Sequence, residues 1–225
     1  MLYCKYDQSG QFEGGWFAVQ IDFNGLKAEK RQSILNAALG EFADKGYALA
    51  STNGIVRRAG ISKGALFTYF PTKKDLFLYL CDYGWEILRR EYLEAIPAAG
   101  GDLIARLHEA VLLKMAVLER QPRLIAFLAR LLVEDDPEVA AQAAAFSAKA
   151  MELQNRVLYS GLDERFFRED LPPEQAQRMI CWCVNGYAAQ LTPQAQKQPV
   201  DRFDMEGATR DFENFLALLR KVYYR

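Results

Sequence analysis

The sequence predicts an all-α fold, with a small N-terminal domain of three short helices joined to a larger helical body. Three observations lead there. Apolar residues recur at steps of three and four over most of the 225 residues, which is the spacing that lines one face of an α-helix. Glycines and prolines punctuate those runs where helices would start or stop. Composition is that of a folded chain, 51% hydrophobic and 25% charged, with length enough for one large core or two modest ones.

Residues 1–26 stand apart. They are rich in aromatics and glycine (Tyr3, Tyr6, Phe12, Gly14, Gly15, Trp16, Phe17), with a short alternating patch around Phe17, Val19, Ile21 and Phe23. A tail, a strand-like arm packed on the body and a start assigned too far upstream all fit, so this extension is given no function. Helical periodicity begins near Ala28. Ile34, Leu35, Ala38, Leu39 and Phe42 form one stripe, and Gly46 is placed to end the helix. Ser51 can cap a second helix to Ala59, with Ile55, Val56 and Ala59 inward, and Gly60 breaks it. Ser62 can cap a third through Phe70, which Pro71 stops. Thr72 and Asp75 read as a capping box for a fourth helix.

Beyond that point the chain stays helical. Elements are expected over about 73–96, 102–119 and 122–133, the last opened by Pro122. Over 138–160, Val139, Ala143, Phe146, Ala150, Leu153 and Val157 make the clearest amphipathic stripe. Pro172 and Pro173 introduce a helix to about Leu191, and a polar linker over 192–203 precedes a final helix over 204–224. The domain division that follows is 1–26, 27–75 and 76–225.

Net charge is −1 overall, but Lys27 to Asp75 holds nine basic and four acidic residues, about +5 against −6 for the rest. A basic module on an acidic body suits a protein that offers one surface to phosphate. Cys4, Cys81, Cys181 and Cys183 match neither a disulfide scaffold nor a four-ligand zinc site. His108 is the sole histidine. Asp135 and Asp136 fall at a helix end, and there is no Glu-x-x-His pattern. An enzyme or metal protein is therefore disfavoured, and no cofactor is implied. With no long apolar run and no signal-peptide pattern, a cytoplasmic location is expected, without membrane association.

The third helix carries the chemistry. Reading the major groove takes a short helix held at a fixed angle by another. Ala59, Gly60 and Ile61 supply the turn, and Leu66 and Phe70 face inward. Ser62 and Lys63 suit phosphate or a guanine edge, and Gly64 permits close approach. Phe67 or the Thr68 methyl can meet a thymine methyl, while Tyr69 and Lys73 brace the backbone. A generic helical hairpin with surface lysines fits these residues too.

A resemblance decides between them. Residues 28–76 resemble the N-terminal domain of the TetR/AcrR family of bacterial transcriptional regulators. The shared pattern is Phe42, then Gly46-Tyr47, the cap Ser51, Ile55, Ala59-Gly60-Ile61-Ser62, Lys63-Gly64, the aromatic run Phe67 to Phe70, and a lysine-bearing start to the fourth helix. The resemblance implies a DNA-facing set of Ser51, Ser62, Lys63, Gly64, Phe67, Thr68, Tyr69 and Lys73. Two positions depart from the pattern: Gly54 stands where the family commonly has aspartate or another polar residue, and Asn53 where it often has a longer side chain.

The same resemblance implies a homodimer on a palindromic double-stranded DNA operator. Its interface would be built from the last two helices, through Met179, Ile180, Cys183, Phe212, Phe215, Leu216 and Leu219, with burial of both stripes inside one subunit as the alternative. It also implies an effector domain over about 84–160. Trp85, Tyr92, Phe127, Phe146, Trp182 and Tyr187 are the candidate pocket aromatics, with His108 as a polar handle. No charged cluster stands out there, so a mainly apolar small molecule is expected. The expected function is a repressor released by that ligand, with a constitutive or activating DNA-binding regulator as the alternative.

Overall fold

The computed structural model describes residues 23–197 and 204–225. Nine α-helices lie among them: α1 (Ala28–Leu49), α2 (Thr52–Ala59), α3 (Lys63–Tyr69), α4 (Lys73–Leu88), α5 (Leu103–Arg120), α6 (Pro122–Leu131), α7 (Ala140–Tyr159), α8 (Pro173–Lys197) and α9 (Met205–Tyr223). Among the described residues there is no strand, only an isolated antiparallel bridge between Phe167 and Tyr224. None of the described helices is long and apolar enough to cross a membrane.

The N-terminal helices follow the punctuation. The stripe Ile34, Leu35, Ala38, Leu39 and Phe42 is buried. Gly46 leaves helical geometry at φ 69°, a left-handed value that costs glycine little. Gly60 does the same at φ 66° and closes α2, with Ile61 N–H bonding back to Val56 O at 3.1 Å. Thr72 and Asp75 form the reciprocal capping box at the head of α4. Ile55, Leu66, Phe70, Leu76, Phe77 and Leu80 complete the small core. Phe23, in a short 3-10 turn ahead of α1, joins it: its ring meets Tyr69, Phe70 and Tyr79 edge-on at 5.5, 4.9 and 5.3 Å. Residues 1–22 lie outside the described residues.

Two boundaries differ from the sequence expectation. The element expected over 73–96 is α-helical only to Leu88 and then widens into a π-turn over Arg89–Leu93. Arg89 is held there by Glu86 and Glu94 at 2.7 and 2.6 Å, and the widened turn buries Tyr92 and Leu93. The helix expected to stop near Leu191 runs on to Lys197. The polar composition that marks 192–203 as a linker includes alanine, glutamine and lysine, which are good helix formers. Residues 198–203 lie outside the described residues.

Within the body, α5 is the central helix and packs against the π-turn, α6, α7 and α9. Asp102 caps it, accepting from Ala105 N–H at 3.0 Å, Arg220 at 2.6 Å and the Tyr224 hydroxyl at 2.9 Å, so the start of α5 is tied to the end of α9. Burial works against the Asp102 charge. The Arg220 ion pair and the two hydrogen bonds outweigh it and hold the carboxyl below its usual range. Buried Arg106 gathers carbonyls at the far end of α7, including Val157 O and Leu158 O, both at 3.3 Å. The head joins the body chiefly through α1 against α6, with Phe127 wedged between Phe42 and Phe77 at 6.3 and 5.5 Å.

Candidate nucleic-acid interface

The α2–turn–α3 unit presents a compact exposed surface. Ser62 caps α3, its Oγ accepting Ala65 N–H at 3.1 Å, which leaves its hydroxyl proton free to donate. Lys63 follows, fully on the outside, with Nζ 5.8 Å from the Phe67 ring centroid. The Thr68 hydroxyl donates back to Gly64 O at 2.9 Å. Gly64 is exposed, and an added Cβ would meet nothing within 4 Å. Packing therefore gives no reason for glycine there, whereas close approach of an outside group does.

Two members of the expected set turn inward. Lys73 donates to Tyr47 O at 2.8 Å and lies 4.2 Å over the Tyr47 ring, bracing α4 against the end of α1. Tyr69 is half-buried, with its ring on Phe23. Phe67 is half-buried too, while Ser51 and Thr68 are exposed.

The helix that supports α3 is held in an arrangement the sequence did not suggest. Ser51 occupies the cap position of α2, but its side chain makes no capping bond. Its backbone N–H is accepted instead by Glu41 Oε1 at 3.2 Å. Glu41, from α1, has a side chain only 1% exposed and pairs with Lys45 at 2.6 Å and Arg58 at 3.5 Å. Its carboxylate fills the space beside Gly54, where a Cβ would come within 2.7 Å of Oε1. The acid that is missing from the first turn of α2 is thus supplied by α1, and glycine at 54 makes room for it. Burial opposes the Glu41 charge, but Lys45, the Ser51 N–H and Arg58 together hold the carboxyl below its usual range. An acid one residue before a core phenylalanine interrupts the apolar stripe of α1, and that interruption is the signal that could have flagged it.

Arg57, on the outer side of α2, and Lys63 and Lys74 make no ion pair with any described residue. Arg57 was absent from the expected contact set. Three unpaired cations around one short helix are suited to a polyanion.

The body residues are distributed differently. Trp85 and Phe146 meet edge-on at 6.2 Å, and Tyr92 is buried in the π-turn. Phe127 belongs to the junction with the head. Trp182 is 67% exposed, Tyr187 stacks on Phe215 at 4.7 Å, and His108 meets Glu213 at 3.0 Å on the surface. The structure brings Trp85 and Phe146 together and leaves the others apart. In the last two helices Ile180, Phe212, Leu216 and Leu219 are buried within the subunit, with Cys183 and Phe215 half-buried. Met179, Trp182, Leu218 and Val222 are 47–67% exposed, an unusual number of large apolar side chains left on one pair of helices.

Comparison with known proteins agrees with this geometry. Residues 34–80 match the family described as bacterial regulatory proteins, tetR family. The chain is 28% identical over 204 residues to the HTH-type transcriptional regulator AcrR of Shigella flexneri, covering 87% of this chain and 89% of that protein. It is 41% identical over 58 residues to the uncharacterized HTH-type transcriptional regulator YuxN of Bacillus subtilis, 26% of this chain and 20% of that one. A TetR family regulator from Chloroflexus aurantiacus superposes with a TM-score of 0.59 at 24% identity, over 90% of this chain and 97% of that chain. The ketosteroid transcriptional regulator KstR2 of Mycobacterium tuberculosis gives 0.57 at 19%, over 89% and 98%. At those identities the superpositions speak for the fold.

Proposed function

Since the chain belongs to the TetR family of bacterial DNA-binding transcriptional regulators, we propose that it binds a palindromic operator as a homodimer and represses transcription until a small molecule in the helical body releases it. Within the cell this places it in the cytoplasm, beside its DNA. The observation that carries the DNA reading is the exposed face of α3: Lys63 unpaired, Gly64 with open space at its Cα, and Thr68 outward, on a helix capped by Ser62. Lys63 and Arg57 supply charge to phosphates or base edges, and Gly64 admits the DNA backbone. Lys73 and Tyr69 hold the unit in shape from behind.

One such helix covers only a short half-site, so two copies are needed for a specific operator. Met179, Trp182, Leu218 and Val222 are the side chains this reading places between subunits. Those of the expected interface that are buried, Ile180, Phe212, Leu216 and Leu219, would form the layer beneath. Ligand control would act by changing the spacing of the two heads, through the contact of α1 with α6.

The test is selection of bound fragments from a random double-stranded DNA library by the purified protein. A recovered palindrome, lost when Lys63 and Arg57 are changed together, supports the reading. Absence of enrichment at low salt by folded protein refutes it. Operator binding that no small molecule alters, or expression that falls when the chain is deleted, would favour the constitutive or activating regulator instead.

A further inference from the structure

A cleft of about 430 Å³ opens where α1, α4 and the turn from α5 into α6 meet, a volume within the range of small-molecule sites. It lies in the seam that joins head to body, and ligand clefts gather at such seams. Leu39 and Leu124, both buried, form its apolar part. The polar walls hold one another. The Tyr83 hydroxyl of α4 donates to Gln121 Oε1 at 3.2 Å, and Gln32 Nε2 donates to Asn36 Oδ1 at 3.1 Å along α1. Arg123 crosses the seam to donate to Asn36 O at 3.2 Å. The side chains around the space are therefore tied in place before anything enters it.

Donors and acceptors are unevenly matched there. Arg120 and Arg123 stand at the exposed rim, and among the described residues no carboxylate lines the cleft. Arg120 meets Glu91 of the π-turn at 3.1 Å, while Arg123 has no ion pair with any described residue. Gln121 accepts from Tyr83 through its side-chain oxygen, which leaves its amide N–H groups to donate. The same wall holds the first residues of α6, which has no side-chain cap and no acid in its first turn. Guanidinium and amide donors that converge on one space without a carboxylate suit an oxyanion. None of these residues belongs to α2 or α3, so the cleft is separate from the surface that faces DNA.

We propose that this cleft binds a small organic oxyanion, a molecule with a carboxylate or phosphate group and further oxygen acceptors. The charged group would lie between Arg120, Arg123 and the Gln121 amide, with the carbon skeleton against Leu39 and Leu124. Because these residues come from α1 on one side and the α5–α6 turn on the other, the bound molecule bridges head and body. Binding stands by itself; a consequence at the DNA rests on the ligand-responsive reading above.

The test titrates citrate, glycerol phosphate and uncharged glycerol into the full-length protein by calorimetry at constant ionic strength. At least one of the two anions is expected to bind saturably, and which one does so separates a carboxylate ligand from a phosphate. Glycerol should not bind. Gln121→Glu keeps an acceptor for the Tyr83 hydroxyl but puts a negative charge in the cleft. It should weaken anion binding by at least about tenfold and leave urea unfolding unchanged. Arg123→Gln, which retains a donor for Asn36 O, gives a second variant with the same expected loss. Arg57→Ala with Lys63→Ala removes cations of the DNA face and should leave anion binding intact. The proposal is overturned if neither anion saturates the folded wild type below about 10 mM, or if both cleft variants bind as the wild type does. Loss in the Arg57 and Lys63 variant alone would place the anion on the DNA face and overturn it too. Binding lost in the cleft variants, with operator affinity indifferent to the anion, supports the site and counts only against its part in controlling DNA binding.

Discussion

The Glu134 carboxylate accepts the backbone N–H of Tyr47 at 2.8 Å, fastening the turn after α6 to the point where α1 ends. The Tyr47 carbonyl is taken by Lys73 at 2.8 Å. Both backbone polar groups of Tyr47 are therefore satisfied from other elements, one in the body and one in α4. Arg130 fills the space beside Gly46, within 2.5 Å of where a Cβ would lie. The junction between head and body is built around Gly46-Tyr47, and a shift of α6 has to be transmitted there.

Removing that acceptor should be expensive. Glu134→Ala leaves a part-buried N–H unsatisfied and is expected to cost about 1–3 kcal/mol in urea unfolding, with Glu134→Gln recovering a substantial part. An Ala variant as stable as the wild type would show that water replaces the carboxylate and that the junction is looser than its hydrogen bonds imply.

Gly64→Ala should separate stability from binding. Nothing lies within 4 Å of an added Cβ, so the free protein should gain up to about 1 kcal/mol from better helix propensity. Operator affinity should nevertheless fall at least tenfold, because the methyl group meets the approaching DNA. Equal or tighter DNA binding by this variant would move the contact surface away from the start of α3.

Lys63→Ala and Arg57→Ala should each weaken operator binding, and each should reduce the steepness of its salt dependence by about one unit if the residue neutralises a phosphate. A loss of affinity confined to one operator position, with the salt slope unchanged, would assign that side chain to a base edge instead.

The Glu41 carboxylate makes a pH-dependent contribution with a defined sign. Its folded pKa lies below the ordinary value of 4.5, so its stabilisation is fully present above that pH and is lost as pH falls through the lowered folded value. Glu41→Gln should therefore be less stable at pH 7, with the gap to the wild type narrowing steadily below pH 4.5. A gap that does not change with pH would mean that the side chain acts through shape and hydrogen bonding, not charge.

Leu218→Glu together with Val222→Glu places two acids on the exposed apolar strip of α9, where those leucine and valine side chains are 60% and 52% exposed. Sedimentation should show a folded monomer whose operator affinity drops at least tenfold. A dimer of unchanged strength would relocate the subunit interface.

Much of the fold was legible because local signals and packing agree. Gly46, Gly60, Ser62, Thr72 with Asp75, and Pro122 each act at the place their chemistry indicates, and the Ile34–Phe42 stripe is the core of the head. What escaped notice depends on contacts distant in sequence. The service of Glu41 to Ser51 joins α1 to the cap of α2; the break Glu41 makes in the apolar stripe of α1 marks the residue, but not the partner it serves. The π-turn at Arg89 has no strong sequence signature. Aromatic residues in the body were singled out by type, and type alone does not distinguish Phe127, locked between two other rings, from half-buried Trp85 against Phe146.

The interlock of Glu41 with Gly54 sets the boundaries of any transplant. Residues 51–70 look like a cassette that could be exchanged with a relative to redirect DNA specificity. A donor segment with a side chain at 54 would drive it into a carboxylate that stays behind on α1, and the new recognition helix would be mounted at a disturbed angle. Positions 41 and 54 therefore form a single heritable unit, and a working chimera has to make its upstream junction before Glu41.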